Sequence, residues 1–109
     1  MLILSTKLKN AIIKKANGME LKFTFKNITV NGQKRGCSGF IRNMVNDSVV
    51  YVNTEVFGWM TLMYRYVDNE QDFKGYHNRW TREINLDELV EAVCKLLMQT
   101  PAEANDRRV

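Results

Sequence analysis

One cysteine of the chain lies between small residues, in the run Gly36-Cys37-Ser38-Gly39, and the chain has a single histidine, His77. A cysteine in such a run could act as a nucleophile if His77 took its proton and Asp72 or Asn78 oriented the imidazole ring. A reactive thiolate, however, needs an accessible and electropositive setting. The pattern around Cys37 predicts a position in the middle of a strand, on the side that faces the core, where a cysteine is usually inert. We therefore expect no thiol enzyme.

A metal or cofactor site is not expected either. His77 is far along the chain from Cys37 and Cys94, and this spacing matches no zinc-binding pattern. The sequence also contains no glycine-rich phosphate loop. We expect a non-enzymatic binding protein with no cofactor and no small-molecule substrate.

Aromatic and cationic residues share one face of a sheet that the sequence predicts. The pairing of its strands would place four of them, Lys22, Phe40, Arg42 and Tyr51, on the outer face together with the amide of Asn53. Rings that stack on bases, next to cations that hold phosphates, are typical of proteins that bind single-stranded RNA or DNA. The alternative is that residues 57–82 or another subunit cover this face, because sheets also use such residues as strand formers.

Two further stretches could bind a partner. Residues 64–82 interleave aromatic residues with cations and include the candidates Arg79, Trp80 and Arg82, a composition found at protein interfaces as well as at nucleic-acid sites. At the turn of residues 31–35, Lys34 and Arg35 could grip a phosphate or a carboxylate together with bare backbone amides. A plain solvated turn is the alternative there.

A helix is predicted near the beginning of the chain. Over residues 5–17 the apolar residues follow helical spacing, and lysines gather on the opposite side. Ser5 or Thr6 could cap its first amides, and Asn17-Gly18 supplies the left-handed exit that commonly closes a helix.

A second helix is predicted over residues 85–99, where leucines and valines form one narrow stripe. Asn85 and Glu88 resemble a capping box at its start, and Pro101 follows its end.

Between the helices, the sequence predicts antiparallel strands. Residues 20–26 alternate strictly, Asn31-Gly32 is a strong signal for a type I′ hairpin, and Asn46-Asp47 indicates a second turn. Counting back from these turns, with a bulge near Asn27, places Phe23 opposite Gly39, Phe25 opposite Cys37 and Ile41 opposite Val52. Residues 57–67 fit a fourth strand from about Thr61 or a short helix, and residues 73–82 read as an ordered loop.

Together these elements predict an α+β fold. Three or four antiparallel strands would carry the N-terminal and C-terminal helices on one face. With 109 residues, 45% of them apolar and only one proline, we expect one domain over residues 1–100 and a frayed tail over 101–109. No apolar run approaches the length of a membrane span or of a signal-peptide core, so a cytoplasmic protein without membrane contact is expected. The two cysteines could be free buried thiols or one disulfide.

The positive charge is concentrated at the start of the chain. The net charge is +4, yet residues 1–35 hold eight lysines or arginines against Glu20 alone. Such a concentration attracts polyanions, nucleic acid first, but it also occurs on proteins that only need solubility.

The order of helix, strands and helix resembles that of double-stranded RNA-binding domains. In that family a lysine cluster begins the second helix, whereas this chain has acids at Asp87 and Glu88. Size and element order also resemble the small inhibitors by which phages and plasmids block CRISPR nucleases.

Three stretches are similar to stretches of small accessory proteins of Gram-positive mobile elements: Arg-Gly-Cys-Ser-Gly-Phe-Ile, Val-Tyr-Val-Asn-Thr-Glu and Gly-Tyr-His-Asn-Arg-Trp. The resemblances imply an anti-CRISPR-like inhibitor that docks on a host or defence-system protein or nucleoprotein complex. The alternative is an autonomous RNA or single-stranded DNA binder that uses the open sheet face.

Overall fold

The structure is a computed structural model that describes residues 3–56, 61–71, 76–81 and 85–101, with only the backbone described for Val56, Thr61, Leu62 and Tyr76–Thr81. Its elements are α1 (Ser5–Lys15), β1 (Leu21–Phe23), β2 (Lys26–Val30), β3 (Gln33–Asn43), β4 (Ser48–Val56), β5 (Thr61–Val67), β6 (Tyr76–Thr81) and α2 (Leu86–Leu97).

The strands form one antiparallel sheet in the order β1, β3, β4, β5 and β6, and β2 also pairs with β3. The predicted α+β class is confirmed, with a helix before and a helix after the sheet. The sheet has more strands than the three or four expected. The strand from Thr61 is confirmed as β5, whereas the loop predicted for residues 73–82 is wrong because Tyr76–Thr81 pairs with β5.

Both helices pack on the same face of the sheet and build the main core. Alternation along the strands turns one set of side chains toward the helices. The buried members are Ile3, Leu8, Ile12, Cys37, Ile41, Val50, Val52, Tyr66, Leu89, Val90, Val93, Cys94 and Leu97. The inward parity predicted for Cys37, Ile41, Val50 and Val52 is therefore confirmed.

Val30 pairs with Gln33 at the first hairpin as predicted, but the register of β1 with β3 and of β3 with β4 differs from the predicted one by two residues. Phe23 pairs with Ile41 and not with Gly39, and Ile41 pairs with Val50 and not with Val52. The second turn spans four residues, 44–47, because Asn43 still pairs with Ser48. A shift of two leaves Phe23, Ile41 and Val50 on their predicted faces.

The bulge lies elsewhere than predicted. Ile28 pairs with Gly36 and Thr29 with Lys34, so the extra residue is Arg35 on β3 and not Asn27 on β2. A bulge near Asn27 would have turned Val30 toward the core, but Val30 is 43% exposed.

The N-terminal cap of α1 also differs from the prediction. Leu4 is the N-cap residue and its side chain makes no capping hydrogen bond. The side chain of Asn27 supplies the missing acceptor, because the Ser5 amide donates to Asn27 Oδ1 at 2.8 Å. A residue of the sheet edge thus caps the helix that packs beside it.

The ends of α2 are held by side chains. Asn85 Oδ1 accepts from the Glu88 amide at 2.9 Å, which confirms the predicted cap. At the other end, Asn43, Asn46 and Ser48 all donate to the carbonyl oxygen of Leu97, at 2.9, 3.0 and 2.7 Å. The second turn therefore anchors the end of α2 to the sheet.

Candidate binding surface

The outer face of the sheet, which lies away from the helices, carries a second apolar cluster. Phe40 and Tyr51 point outward as predicted, and they pair directly across β3 and β4 with ring centroids 5.0 Å apart. They pack with Val49, Met63 and Val67 and are only 7% and 8% exposed. The prediction of an open stacking platform is therefore wrong. Apolar side chains of β4 and β5 cover the rings because they share the parity of Tyr51.

Arg42 extends along this face and binds a carboxylate. Its Nε and Nη2 atoms donate to Glu70 at 2.9 and 2.6 Å, and Nη1 lies 3.6 Å from Asp47 Oδ1. The hydrogen bonds from Arg42 hold the pKa of Glu70 below its ordinary value, and Glu70 raises the pKa of Arg42. The guanidinium predicted to bind a phosphate is thus already paired within the chain.

A pocket of about 330 Å³ opens beside the ring pair. Its lining residues are Thr24, Lys26, Ser38, Gly39, Phe40, Tyr51 and Glu70. Gly39 has φ +154°, and a Cβ there would overlap the carbonyl oxygen of Thr24 and lie 2.7 Å from Phe25 Cα. The glycine thus lets β3 meet the break between β1 and β2 that forms one wall of the pocket.

Lys22 and Asn53 lie on the outer face as predicted, in different rows of the sheet. Lys22 pairs with Arg42 and is exposed. Asn53 pairs with Ser38, donates to Tyr51 Oη at 3.3 Å and accepts from the Glu55 amide at 2.8 Å. The amide of Asn53 therefore braces β4.

At the tip of the first hairpin, Asn31 and Gly32 adopt positive φ angles of 51° and 80°, as the turn prediction requires. Lys34 is exposed. The Arg35 guanidinium lies 3.9 Å from Glu55 Oε1, so its charge is partly compensated by a carboxylate whose side chain is only 3% exposed. Of the two predicted cations, Lys34 is the one that remains available.

The candidates of the last strand are described only in part. Arg79 and Trp80 belong to β6, where their backbones pair with Tyr64 and Met63. Their side chains and the whole of Arg82 lie outside the described residues. The predicted interface of residues 64–82 stays a prediction.

Exposed lysines are concentrated on the first elements of the chain, and the predicted site included only some of them. Seven lysines on α1, β1, β2 and the first hairpin are exposed: Lys7, Lys9, Lys14, Lys15, Lys22, Lys26 and Lys34. We call these seven residues the lysine edge. Lys7, Lys14 and Lys15 line a groove between α1 and α2 that also contains Asp87, Lys9 lies beside Phe23 of β1, and Lys22 and Lys26 lie on the outer face of the sheet. None of the seven forms an ion pair with a carboxylate of the described residues. The signal was present in the charge of residues 1–35, but only two of these lysines were placed in the predicted site.

Apolar groups lie within the lysine edge. Lys9 Nζ is 5.5 Å from the ring centroid of Phe23, and its side chain lines a pocket of about 330 Å³ with Ile13, Ala16, Met19, Leu21 and Phe23. Ile13 is 52% exposed. Positive charge and accessible apolar surface are therefore interleaved there.

The two cysteines are free and buried. Burial raises the pKa of both thiols, and a hydrogen bond with Thr54 offsets only part of this for Cys37. A raised pKa disfavours the thiolate that nucleophilic chemistry requires.

Comparisons of the chain with models of protein families, with curated proteins and with solved structures give no match. Among the described residues, no helix combines the length and the apolar character needed to cross a bilayer. Function must therefore be inferred from the chain's own geometry and charge.

Proposed function

We propose that the chain is a non-enzymatic binding protein that docks through its lysine edge on a complex of protein and nucleic acid. Its biological role would be that of an anti-CRISPR-like inhibitor encoded by a mobile genetic element. The observation that carries the proposal is the set of seven exposed lysines without carboxylate partners in the described structure. Such a set attracts phosphate groups and releases the counterions bound to them.

Binding to free nucleic acid through charge alone would be weak, and this favours a complex of protein and nucleic acid as the target. Phosphate contacts without base contacts give sequence-independent dissociation constants of about 10⁻⁴ to 10⁻⁶ M at physiological salt. The rings that were expected to add base stacking, Phe40 and Tyr51, are largely buried. Tighter binding would need protein contacts, and exposed apolar residues such as Ile13 and Val30 lie on the same elements as the lysines.

Two measurements on the purified chain test the proposal. The first is a gel shift with single-stranded RNA and DNA oligonucleotides over a series of salt concentrations. The second is target cleavage by RNA-guided nucleases loaded with guide RNA, with the chain added at increasing ratios. We expect weak oligonucleotide shifts that vanish at physiological salt, together with inhibition of a loaded nuclease at near-stoichiometric ratios.

The other outcomes are decisive as well. Tight, steeply salt-dependent shifts of free oligonucleotides would favour the autonomous RNA or single-stranded DNA binder. If a broad nuclease panel is unaffected and none of its loaded complexes is bound, the docking proposal is wrong. A nuclease inhibited equally well before guide loading would show that nucleic acid is not part of the target surface.

A further inference from the structure

Strand β1 lies at an edge of the sheet, and no described strand pairs with it on its other side. The Thr24 amide donates to the carbonyl oxygen of Phe40 at 2.9 Å, and the carbonyl oxygen of Glu20 accepts from an amide just past the end of β3 at 2.7 Å. Backbone groups alternate in direction along an antiparallel strand. Leu21 and Phe23 therefore point their amide and carbonyl groups away from β3, and none of these groups bonds to a described residue.

Two apolar pockets lie on the helix side of this open edge, between α1 and β1. One is the pocket of about 330 Å³ that Lys9 and Ile13 share with Leu21 and Phe23. The other has about 220 Å³ and is lined by Ser5, Thr6, Lys9, Phe23 and Phe25. Lys9 and Phe23 belong to both pockets, so the pockets adjoin. Every second side chain of a strand added at this edge would enter them.

The edge is cationic on both faces. Lys22 and Lys26 are exposed on the outer face, and neither forms an ion pair with a described carboxylate. Lys9 adds a cation on the helix side, 5.5 Å from the ring centroid of Phe23. An added strand is therefore favoured when its outward side chains are acidic. A second copy of the chain is disfavoured, because pairing of β1 with β1 would bring Lys22 of both copies together.

We infer that the open edge of β1 binds an extended, acidic segment of a partner protein, which adds to the sheet as a further strand. Main-chain hydrogen bonds to Leu21 and Phe23 hold the segment, its apolar side chains enter the two pockets, and its acidic side chains lie beside Lys22 and Lys26. The inference rests on the proposed function and deepens it, since it names the protein contact that docking on a complex of protein and nucleic acid needs beyond phosphate attraction.

The test uses the full chain and a blocked hexapeptide in which valine alternates with glutamate. Amide hydrogen exchange is followed by NMR while the peptide is added. We expect exchange of the Leu21 and Phe23 amides to slow about tenfold when the free peptide is at ten times its dissociation constant. The Lys22 amide faces β3 already and should change little, which makes it the internal control. No protection at about 1 mM peptide would contradict the inference.

Two altered peptides separate strand addition from simple attraction of charge. N-methylation of the peptide backbone keeps the side chains and the charge but removes the amide donors, so it should weaken binding about tenfold. A peptide with its valines and glutamates in two blocks keeps the composition but cannot place all apolar side chains on one face. It should bind several-fold more weakly. Equal binding of all three peptides would show that no strand is added.

Two variants of the chain locate the site on its surface. Lys22→Glu places a like charge beside the glutamates of the peptide and should weaken its binding about tenfold. Lys95→Glu makes the same change of net charge on α2, outside both pockets, and should leave peptide binding unchanged. Lys22 and Lys95 are both exposed, and circular dichroism verifies that the fold is retained. Equal losses in the two variants would mean that the peptide does not bind at β1.

Failure of this inference can be told apart from failure of the proposed function. If the peptide leaves Leu21 and Phe23 unprotected while the chain inhibits a loaded nuclease, strand addition is wrong and the proposed function stands. If the peptide protects these amides but no loaded complex is bound, the proposed function fails and the peptide site stands. Protection of the same amides by an oligonucleotide in place of the peptide, or by a dimer of the chain alone, would assign the edge to that occupant and overturn the inference.

Discussion

At the scale of single residues, the Arg42–Glu70 pair makes stability depend on pH. The carboxylate form of Glu70 is stabilised in the folded chain, and its pKa lies below the ordinary value of 4.5. The contribution of Glu70 to the free energy of unfolding is complete at neutral pH, and it is lost as the pH falls through the lowered pKa of the folded state. Both side chains are about one-fifth exposed, at 21% and 23%, so a bidentate pair here should contribute about 1 kcal/mol.

Glu70→Gln should therefore lower the free energy of unfolding by about 1 kcal/mol at neutral pH. The difference in the free energy of unfolding between this variant and the natural chain should become smaller as the pH is lowered, because protonated Glu70 no longer attracts Arg42. Urea unfolding over a pH series measures both effects. Asp47→Asn is the matched control: Asp47 is 76% exposed, and that change should cost only a few tenths of a kcal/mol at any pH. A pH-independent loss in Glu70→Gln would contradict the ion-pair explanation.

Gly39 is the residue whose replacement should damage the fold most. A Cβ there would overlap the backbone of Thr24 and contact Phe25, and neither backbone group can move without opening the sheet edge. We expect Gly39→Ala to destabilise the chain by about 3 kcal/mol or more, measured by thermal or urea unfolding.

Gly18→Ala provides the control for backbone strain alone. Gly18 has φ +75°, and nothing lies within 4 Å of the position that its Cβ would occupy. That substitution should cost about 1 to 2 kcal/mol, from the left-handed conformation only. Equal losses of stability in Gly39→Ala and Gly18→Ala would show that the close approach of β3 to Thr24 adds nothing to the cost of replacing Gly39.

At the scale of elements, the cap of α1 comes from the sheet and not from the helix's own sequence. Asn27→Ala removes the acceptor of the Ser5 amide and should cost about 0.5 to 1 kcal/mol. Thr6→Ala removes a residue that the sequence predicts as a cap, yet it should be close to neutral because the structure shows no side-chain cap from α1 itself. Chemical denaturation of both variants decides whether Asn27 or a residue of α1 supplies the cap. A larger loss of stability in Thr6→Ala than in Asn27→Ala would show that Asn27 does not supply it.

The same contrast explains which elements could be predicted from the sequence. The cap of α2, the Asn31-Gly32 turn and the inward parity of Ile41 depend on residues close together in the chain, and all three are confirmed. The register was off by two because a four-residue turn and a two-residue turn at Asn46-Asp47 preserve the same parity. Strand β6 has no alternating pattern of its own, so only pairing with β5 reveals it.

For the candidate site, the sequence predicted the orientation of the rings but not their burial. Outward orientation of Phe40 and Tyr51 follows from local alternation, and it is correct. Their burial depends on Met63 and Val67 reaching the same face from β5, and the side-chain parity of β5 had no signal in an almost wholly apolar segment. Whether an outward ring is open or covered is thus a property of the tertiary packing.

At the scale of the whole molecule, charge is separated between the two helices. Lysines cover the exposed face of α1, whereas the first half of α2 exposes Asp87, Glu88 and Glu91. A net charge of +4 therefore understates the positive charge carried by α1, β1 and β2, although Asp87 lines one groove with Lys7, Lys14 and Lys15. The position of a lysine should matter more than its contribution to the total charge.

Two lysines allow this to be tested with the same change of net charge. Lys14 and Lys95 are both exposed and both lie in the last turn of a helix, of α1 and α2 respectively. Replacing either one with Glu changes the net charge equally and places the same unfavourable charge at a helix C-terminus. Lys14→Glu should weaken docking on the loaded nuclease and reduce the slope of log affinity against log salt by about one. Lys95→Glu should leave the docking affinity and its salt slope unchanged within error. Equal effects of the two variants would mean that net charge alone governs binding and that the lysine edge is not recognised.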